Sequence, residues 1–158
     1  MTTDAAHSSL WRTADIYFGG SLILGFALNY YHSFNFGPLS GSATLHMIGA
    51  PLLVIGSLII VYSKQTLSKQ GQPSEPGVAT SAIVDSGMFR YSRNPLYTGL
   101  TLCYCGLSFA IDNAWLLALL PITLIAVQIA LIAPEERYLE QKFGNDYRAY
   151  KKRVRRWL

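Results

Sequence analysis

The chain has 158 residues, 51% hydrophobic and only 14% charged, with a formal net charge of +4. That length suits one domain, and the charged fraction falls well short of the quarter or so found in ordinary soluble domains. A soluble helical bundle is disfavoured because soluble helices carry a charged face at every turn, and no basic stripe with interleaved aromatics points to nucleic acid.

Residues 1–13, MTTDAAHSSLWRT, read as a surface or disordered lead-in. They lack the basic start and short apolar core of a cleavable signal peptide. From Ile16 to Ser63 there is no Asp, Glu, Lys or Arg, which is room for two membrane crossings of about 20 residues each. The charge-free runs Asn94–Ile111 and Asn113–Pro134 fit one crossing each. The expected fold is therefore all-α: a polytopic membrane protein, one membrane domain over residues 1–158, with spans at 15–32, 42–63, 95–111 and 115–133. Span one carries Gly19, Gly20 and Gly25, and span two carries Ser42, Gly49, Gly56 and Ser63 at seven-residue spacing. Such a small-residue stripe predicts close helix packing, as do Gly99 and Gly106 on span three. Cys103 and Cys105 stand two apart on a helix and do not face one another. They read as small polarizable core residues. His7, His32 and His46 form no pair with metal-ligand spacing, and no metal site is expected.

The loop 64–93 has turn formers at Gly71, Pro73, Pro76 and Gly77. It closes on Gly87-Met88-Phe89-Arg90-Tyr91-Ser92-Arg93-Asn94-Pro95. Pro95 suits the first helical position of span three. Arg93 and Asn94 then lie at a helix N-terminus, whose free N–H groups favour an anion. Span four passes Gln128, seven residues before Glu135 and so on the same α-helical face, and ends in Pro134-Glu135-Glu136. Acids are disfavoured at a helix C-terminus, so this pair runs against the local trend. A tight turn at Asp112-Asn113 makes spans three and four antiparallel neighbours, which brings the Arg93 cluster beside the carboxylates. Beyond them, Leu139 and Phe143 continue an apolar face, and Gly144-Asn145-Asp146 can end the helix. Tyr147, Tyr150 and Val154 follow at helical spacing, with six basic residues after Asp146. That tail reads as an amphipathic interfacial helix, each basic residue contributing about 1 kcal/mol of attraction to anionic lipid.

All 13 Lys and Arg fall in three regions: Arg12 before span one, four residues between spans two and three, and eight from Arg137 to Arg156. With four spans these regions share one side. The positive-inside rule makes that side, with both termini, cytoplasmic, as in a bacterial inner (plasma) membrane.

These residues resemble the isoprenylcysteine carboxyl methyltransferase and phospholipid methyltransferase family of integral membrane enzymes. The family shows a Gly-Pro-Tyr step, an Arg-His-Pro-x-Tyr or Arg-Asn-Pro-x-Tyr step, a Glu-Glu pair, then a Leu, a Phe-Gly and spaced tyrosines. Here these read GMF (87–89), RNPLY (93–97), EE (135–136), Leu139, FG (143–144), Tyr147 and Tyr150. The match spans residues 83–158. Met88 and Phe89 replace the Pro and Tyr of the first step, and Asn94 stands where prenylcysteine-specific members have His. The resemblance implies S-adenosylmethionine as cofactor, with Gly87, Met88, Phe89, Arg93, Asn94, Pro95, Tyr97, Glu135 and Glu136 around it. Arg93 and Glu135 are the residues expected to carry catalysis, Arg93 toward either cofactor or acceptor. The implied acceptor is lipophilic: a carboxylate, thiol, amine or lipid head group. No Gly-x-Gly-x-x-Gly turn or P-loop is present. Two other readings remain at this point, a membrane reductase with a nicotinamide cofactor and a non-enzymatic membrane subunit.

Overall fold

A computed structural model describes residues 13–73 and 80–157. His7 and Arg12 of the lead-in, and the turn formers Pro76 and Gly77, lie outside the described residues. Among those described there is no β-strand. The helices are α1 (Ala14–Tyr31), α2 (Ala43–Lys69), α3 (Pro95–Ala110), α4 (Ala114–Val127), α5 (Ala133–Phe143) and α6 (Asn145–Arg153). A π-helical segment, Gln128–Ile132, joins α4 to α5 without a break. Two helices are long and apolar enough to cross a membrane: Ala43–Lys69, and the continuous Ala114–Phe143. At about 1.5 Å per residue both exceed a hydrocarbon core of about 30 Å. Each is longer than the hydrocarbon core and runs beyond the expected ends at residues 63 and 133.

The ends of the elements follow from local chemistry. Pro95 occupies the first position of α3. The Asn113 side chain caps α4 by accepting the Trp115 N–H at 3.1 Å. Gly144 separates α5 from α6 at φ +55°, a conformation costly for residues with a Cβ.

The glycine stripes meet as expected. Gly49 lies against Gly106 and Gly56 against Gly99, in antiparallel register. A Cβ added at Gly56 would come 2.6 Å from the Gly99 carbonyl oxygen, and one at Gly49 would come 2.7 Å from that of Gly106. On the other side α1 packs against α4, with Leu116 seated on Gly25. Phe18, Tyr104, Leu116, Val127, Leu131 and Ile132 form the buried core. Inside it the Ser21 hydroxyl bonds Tyr104 at 2.6 Å and accepts from Thr123 at 2.8 Å, tying α1, α3 and α4 together. Large apolar side chains such as Ile23, Met47, Leu58, Ile122 and Ile129 point outward, as lipid-facing residues do.

At one end of the bundle Asp112 holds the loop after α1. Its carboxylate accepts from the Phe36 and Gly41 N–H groups, each at 3.1 Å, and from the Ser40 hydroxyl. These bonds hold it below the usual carboxylate range. The Ala114 N–H donates to the Phe34 carbonyl at 2.8 Å. At the other end gather the start of α1, the end of α2, the start of α3 and α5.

Two expectations change here. The tail does form an amphipathic helix, α6, but Tyr147, Tyr150 and Val154 are buried against Ile83, Leu139 and Phe143. Its apolar stripe is covered by protein, because the helix folds back at Gly144. Gln128 and Glu135 do not share a face as a regular α-helix would have them. The i→i+5 bonding of the π segment inserts a residue between them and rotates everything that follows. Gln128 does not line the cavity to which Glu135 belongs.

Candidate functional site

A cavity of about 460 Å³ opens at the crowded end, within the range of small-molecule sites of about 300–1,000 Å³. Its walls combine residues of the 64–93 loop and the α3 entrance with Glu135 and its neighbours on α5 and with the tail. Phe89, Arg93, Asn94, Pro95 and Tyr97 come from the entrance of α3, and Glu135, Tyr138 and Leu139 from α5. Tyr147 and Tyr150 of α6 complete the aromatic wall. Asp15 of α1 and Lys64 of α2 stand at its border.

The two glutamates have different surroundings. Glu136 is buried, at 6% exposure. Arg156 grips it from the tail, donating from Nε to Oε1 at 3.0 Å and from Nη2 to Oε2 at 2.7 Å. Arg93 Nη1 adds an ion pair to Oε1 at 3.1 Å. The geometry of that contact is not that of a hydrogen bond, and Arg93 Nε, also buried, has no hydrogen-bond partner. Glu135 lies past the apolar run that ends at Ala133, lines the cavity, and has no ion pair among the described residues. Burial and the neighbouring Glu136 charge push its carboxyl up to about 7. Burial likewise pushes the Tyr147 phenol up to about 12, helped by Glu136.

The tail is stitched to the α3 entrance. The Arg93 N–H donates to the Arg155 carbonyl at 2.9 Å. The Arg156 carbonyl accepts from Asn94 Nδ2 at 3.0 Å and from the Ser92 hydroxyl at 3.3 Å. The Tyr150 hydroxyl donates to the Phe89 carbonyl at 2.6 Å. An exposed pair, Arg153 with Asp85 at 3.2 Å, continues the seam.

Of the residues expected from sequence, the structure brings Phe89, Arg93, Asn94, Pro95, Tyr97 and Glu135 to one cavity. Gly87 and Met88 form the turn behind Phe89 and do not line it. Gly87 packs so closely on α2 that a Cβ there would come 2.7 Å from the Thr66 hydroxyl. Glu136 stands behind the wall as the anchor for two arginines. Sequence reasoning missed Arg156 altogether. Its one visible signal was a basic residue beside Trp157, in a tail with five other basic residues after Asp146.

The chemistry available is that of an unpaired carboxylate among tyrosine rings, which suits a cation, next to a buried guanidinium nitrogen with no acceptor, which suits an anion. A family model described as phospholipid methyltransferase matches residues 44–146. A protein of Haemophilus influenzae, described only as uncharacterized, is 42% identical over 65 residues, which cover 40% of this chain and 100% of that protein. No solved structure matches.

Proposed function

The chain belongs to the phospholipid methyltransferase family, and from that premise we propose that it moves a methyl group from S-adenosylmethionine to a lipophilic acceptor at the cytoplasmic face of a membrane. Family membership makes it a methyltransferase acting on membrane substrates. The observation that carries the finer reading is Glu135: a carboxylate in a cavity wall with no ion pair among the described residues.

The donor set fits the cofactor. It has a carboxylate, an ammonium and a sulfonium, so it needs one acidic and one basic group close together. Glu135 offers the first and the orphaned Nε of Arg93 the second. Asn94 and the α3 N-terminus add donors beside Arg93. Phe89, Tyr97, Tyr147 and Tyr150 supply apolar, electron-rich walls. When bound, the cofactor supplies an electrophilic methyl group. The protein's own part is positioning: fixing both partners in line and keeping the site partly dry, which is where most of such an acceleration arises. Glu135, a cavity carboxylate with no ion pair among the described residues, would hold positive charge beside the reacting centre.

The acceptor reading follows from the same cavity. Ala14 and Asp15 of α1 and Ile60, Lys64 and Leu67 of α2 border it, and the outer faces of these helices are apolar. A lipophilic molecule with a polar reactive end matches that border. We propose that α1 and α3 also cross the bilayer, giving four spans with the cavity and both termini cytoplasmic. All described Lys and Arg lie at the cavity end, and the Asp112 end has none. Arg148, Lys152 and Arg155, exposed on the tail, would then face anionic lipid.

The test is ligand-dependent thermal stability of the purified protein. A ligand stabilises by RT ln(1 + [L]/Kd). S-adenosylhomocysteine is expected to raise the melting temperature and NADPH is not. The reverse outcome would support a reductase and overturn this reading. No shift from either would leave a lipid-binding subunit as the better description.

A further inference from the structure

Resting on the cofactor reading above, we propose that Arg156 is the positioning residue of the site: it acts through Glu136 to hold Arg93 and the α3 entrance in place. Arg156 touches both clusters that form the cavity, α5 with its side chain and the α3 entrance with its backbone carbonyl. Its guanidinium takes both oxygens of Glu136, at 3.0 and 2.7 Å, on α5. Its carbonyl takes the Asn94 amide and the Ser92 hydroxyl at the start of α3. Glu136 in turn carries the ion pair to Arg93. Arg156 itself does not line the cavity.

Charge and geometry explain why a second arginine is needed. Arg93 reaches Glu136 with Nη1 alone and without hydrogen-bond alignment. One such contact does not fix the rotamer of a carboxylate. The fork of Arg156 matches the carboxylate plane and fixes it. With Glu136 fixed, Arg93 keeps Nε free, and Glu135, the next residue on the same helix, is kept out of the pairing. Without the Arg156 side chain the backbone carbonyl still accepts from Asn94 and Ser92, but Glu136 loses its fork, and Arg93 can turn to Glu135. Supporting groups of this kind decide whether contacting residues are held to within a fraction of an ångström.

The experiment compares Arg156→Ala, Arg156→Lys and Glu136→Gln, singly and combined, in the full chain. In Arg156→Ala, S-adenosylhomocysteine affinity is expected to fall on the order of tenfold or more, with millimolar guanidinium restoring part of it and urea none. Arg156→Lys, which keeps charge but not the fork, is expected to fall in between. The double variant Arg156→Ala/Glu136→Gln should bind no worse than Glu136→Gln alone, because both act on one unit. A second readout needs no ligand: amide hydrogen exchange of residues 92–98 should rise in Arg156→Ala while α2 and α4 keep theirs. Wild-type affinity and wild-type exchange in Arg156→Ala would overturn the assignment, as would additive losses in the double variant. Failure of wild type to bind S-adenosylhomocysteine would sink the cofactor reading instead, and the exchange result would still decide whether Arg156 holds the α3 entrance.

Discussion

Glu135 and Glu136 are adjacent in the chain and opposite in circumstance: Glu136 is buried between Arg156 and Arg93, while Glu135 meets the cavity with its charge uncompensated. The helix turns by about 100° per residue, so one carboxylate faces the tail and the other the cavity. One is thereby a structural anchor and the other a cavity-facing group, and the two respond differently to change.

Removing the Glu136 charge should unfold the site. Glu136→Gln leaves two arginines facing a neutral amide, one of them at 10% side-chain exposure. Breaking a buried pair in this way costs about 3–5 kcal/mol. Glu135→Gln removes a desolvated, unpaired charge and should leave stability unchanged or slightly raised. Chemical denaturation of both variants in one detergent separates them, and equal destabilisation would contradict the assignment.

The raised Glu135 carboxyl gives a pH signature with two signs. An acid whose folded value, about 7, exceeds its ordinary 4.5 takes up a proton on folding. The unliganded protein should therefore lose stability as pH rises from about 4.5 through 7. A cationic ligand prefers the ionised form, so affinity for S-adenosylmethionine should rise between pH 6 and 8. Glu135→Gln should flatten both curves. A pH-independent wild type would show that Glu135 is not the group the ligand meets.

A glycine at the α2–α3 interface and one on α1 predict opposite outcomes for the same substitution. Gly56→Ala drives a methyl group to 2.6 Å from the Gly99 carbonyl oxygen, and overpacking of this kind costs about 1–3 kcal/mol. Gly19→Ala meets nothing within 4 Å and should gain up to about 1 kcal/mol from helix propensity. Thermal unfolding of the two variants, read as a difference, checks both.

Four crossings with a cytoplasmic cavity predict which side each end occupies. In a variant with Cys103 and Cys105 replaced by Ser, Leu39→Cys should react with an impermeant maleimide in intact cells. Lys152→Cys should react only after permeabilisation. Labelling of both before permeabilisation would reduce the number of crossings.

Much of this organisation was legible in the sequence because lipid imposes a simple rule on charge. The charge-free runs gave the starts of α1, α3 and α4 almost to the residue. The glycine spacing in α2 and α3 gave their contact face, since only small residues let two backbones touch. Other features had no such signature. Tyr147, Tyr150 and Val154 form the same apolar stripe whether lipid or Leu139 covers it, and only the fold-back at Gly144 decides between them. Lys64 does not end α2, which runs on to Lys69, because a helix leaving the bilayer continues in water. Arg156 could not be told from Arg155 by residue type; their difference is that one meets a carboxylate and the other is exposed.

The π segment at Gln128–Ile132 makes the protein unusually dependent on chain length at one place. All residues that follow it are offset by one position from the register of α4. Deleting Gln128, the one polar residue of the five, would let the helix run on as regular α and keep Leu131 and Ile132 in the chain. Yet Glu135 and Glu136 would swing by about 100°, so that neither met its present partner. An insertion or deletion at these five positions thus acts on alignment, whereas substitution of Leu131 or Ile132 would act on the buried core.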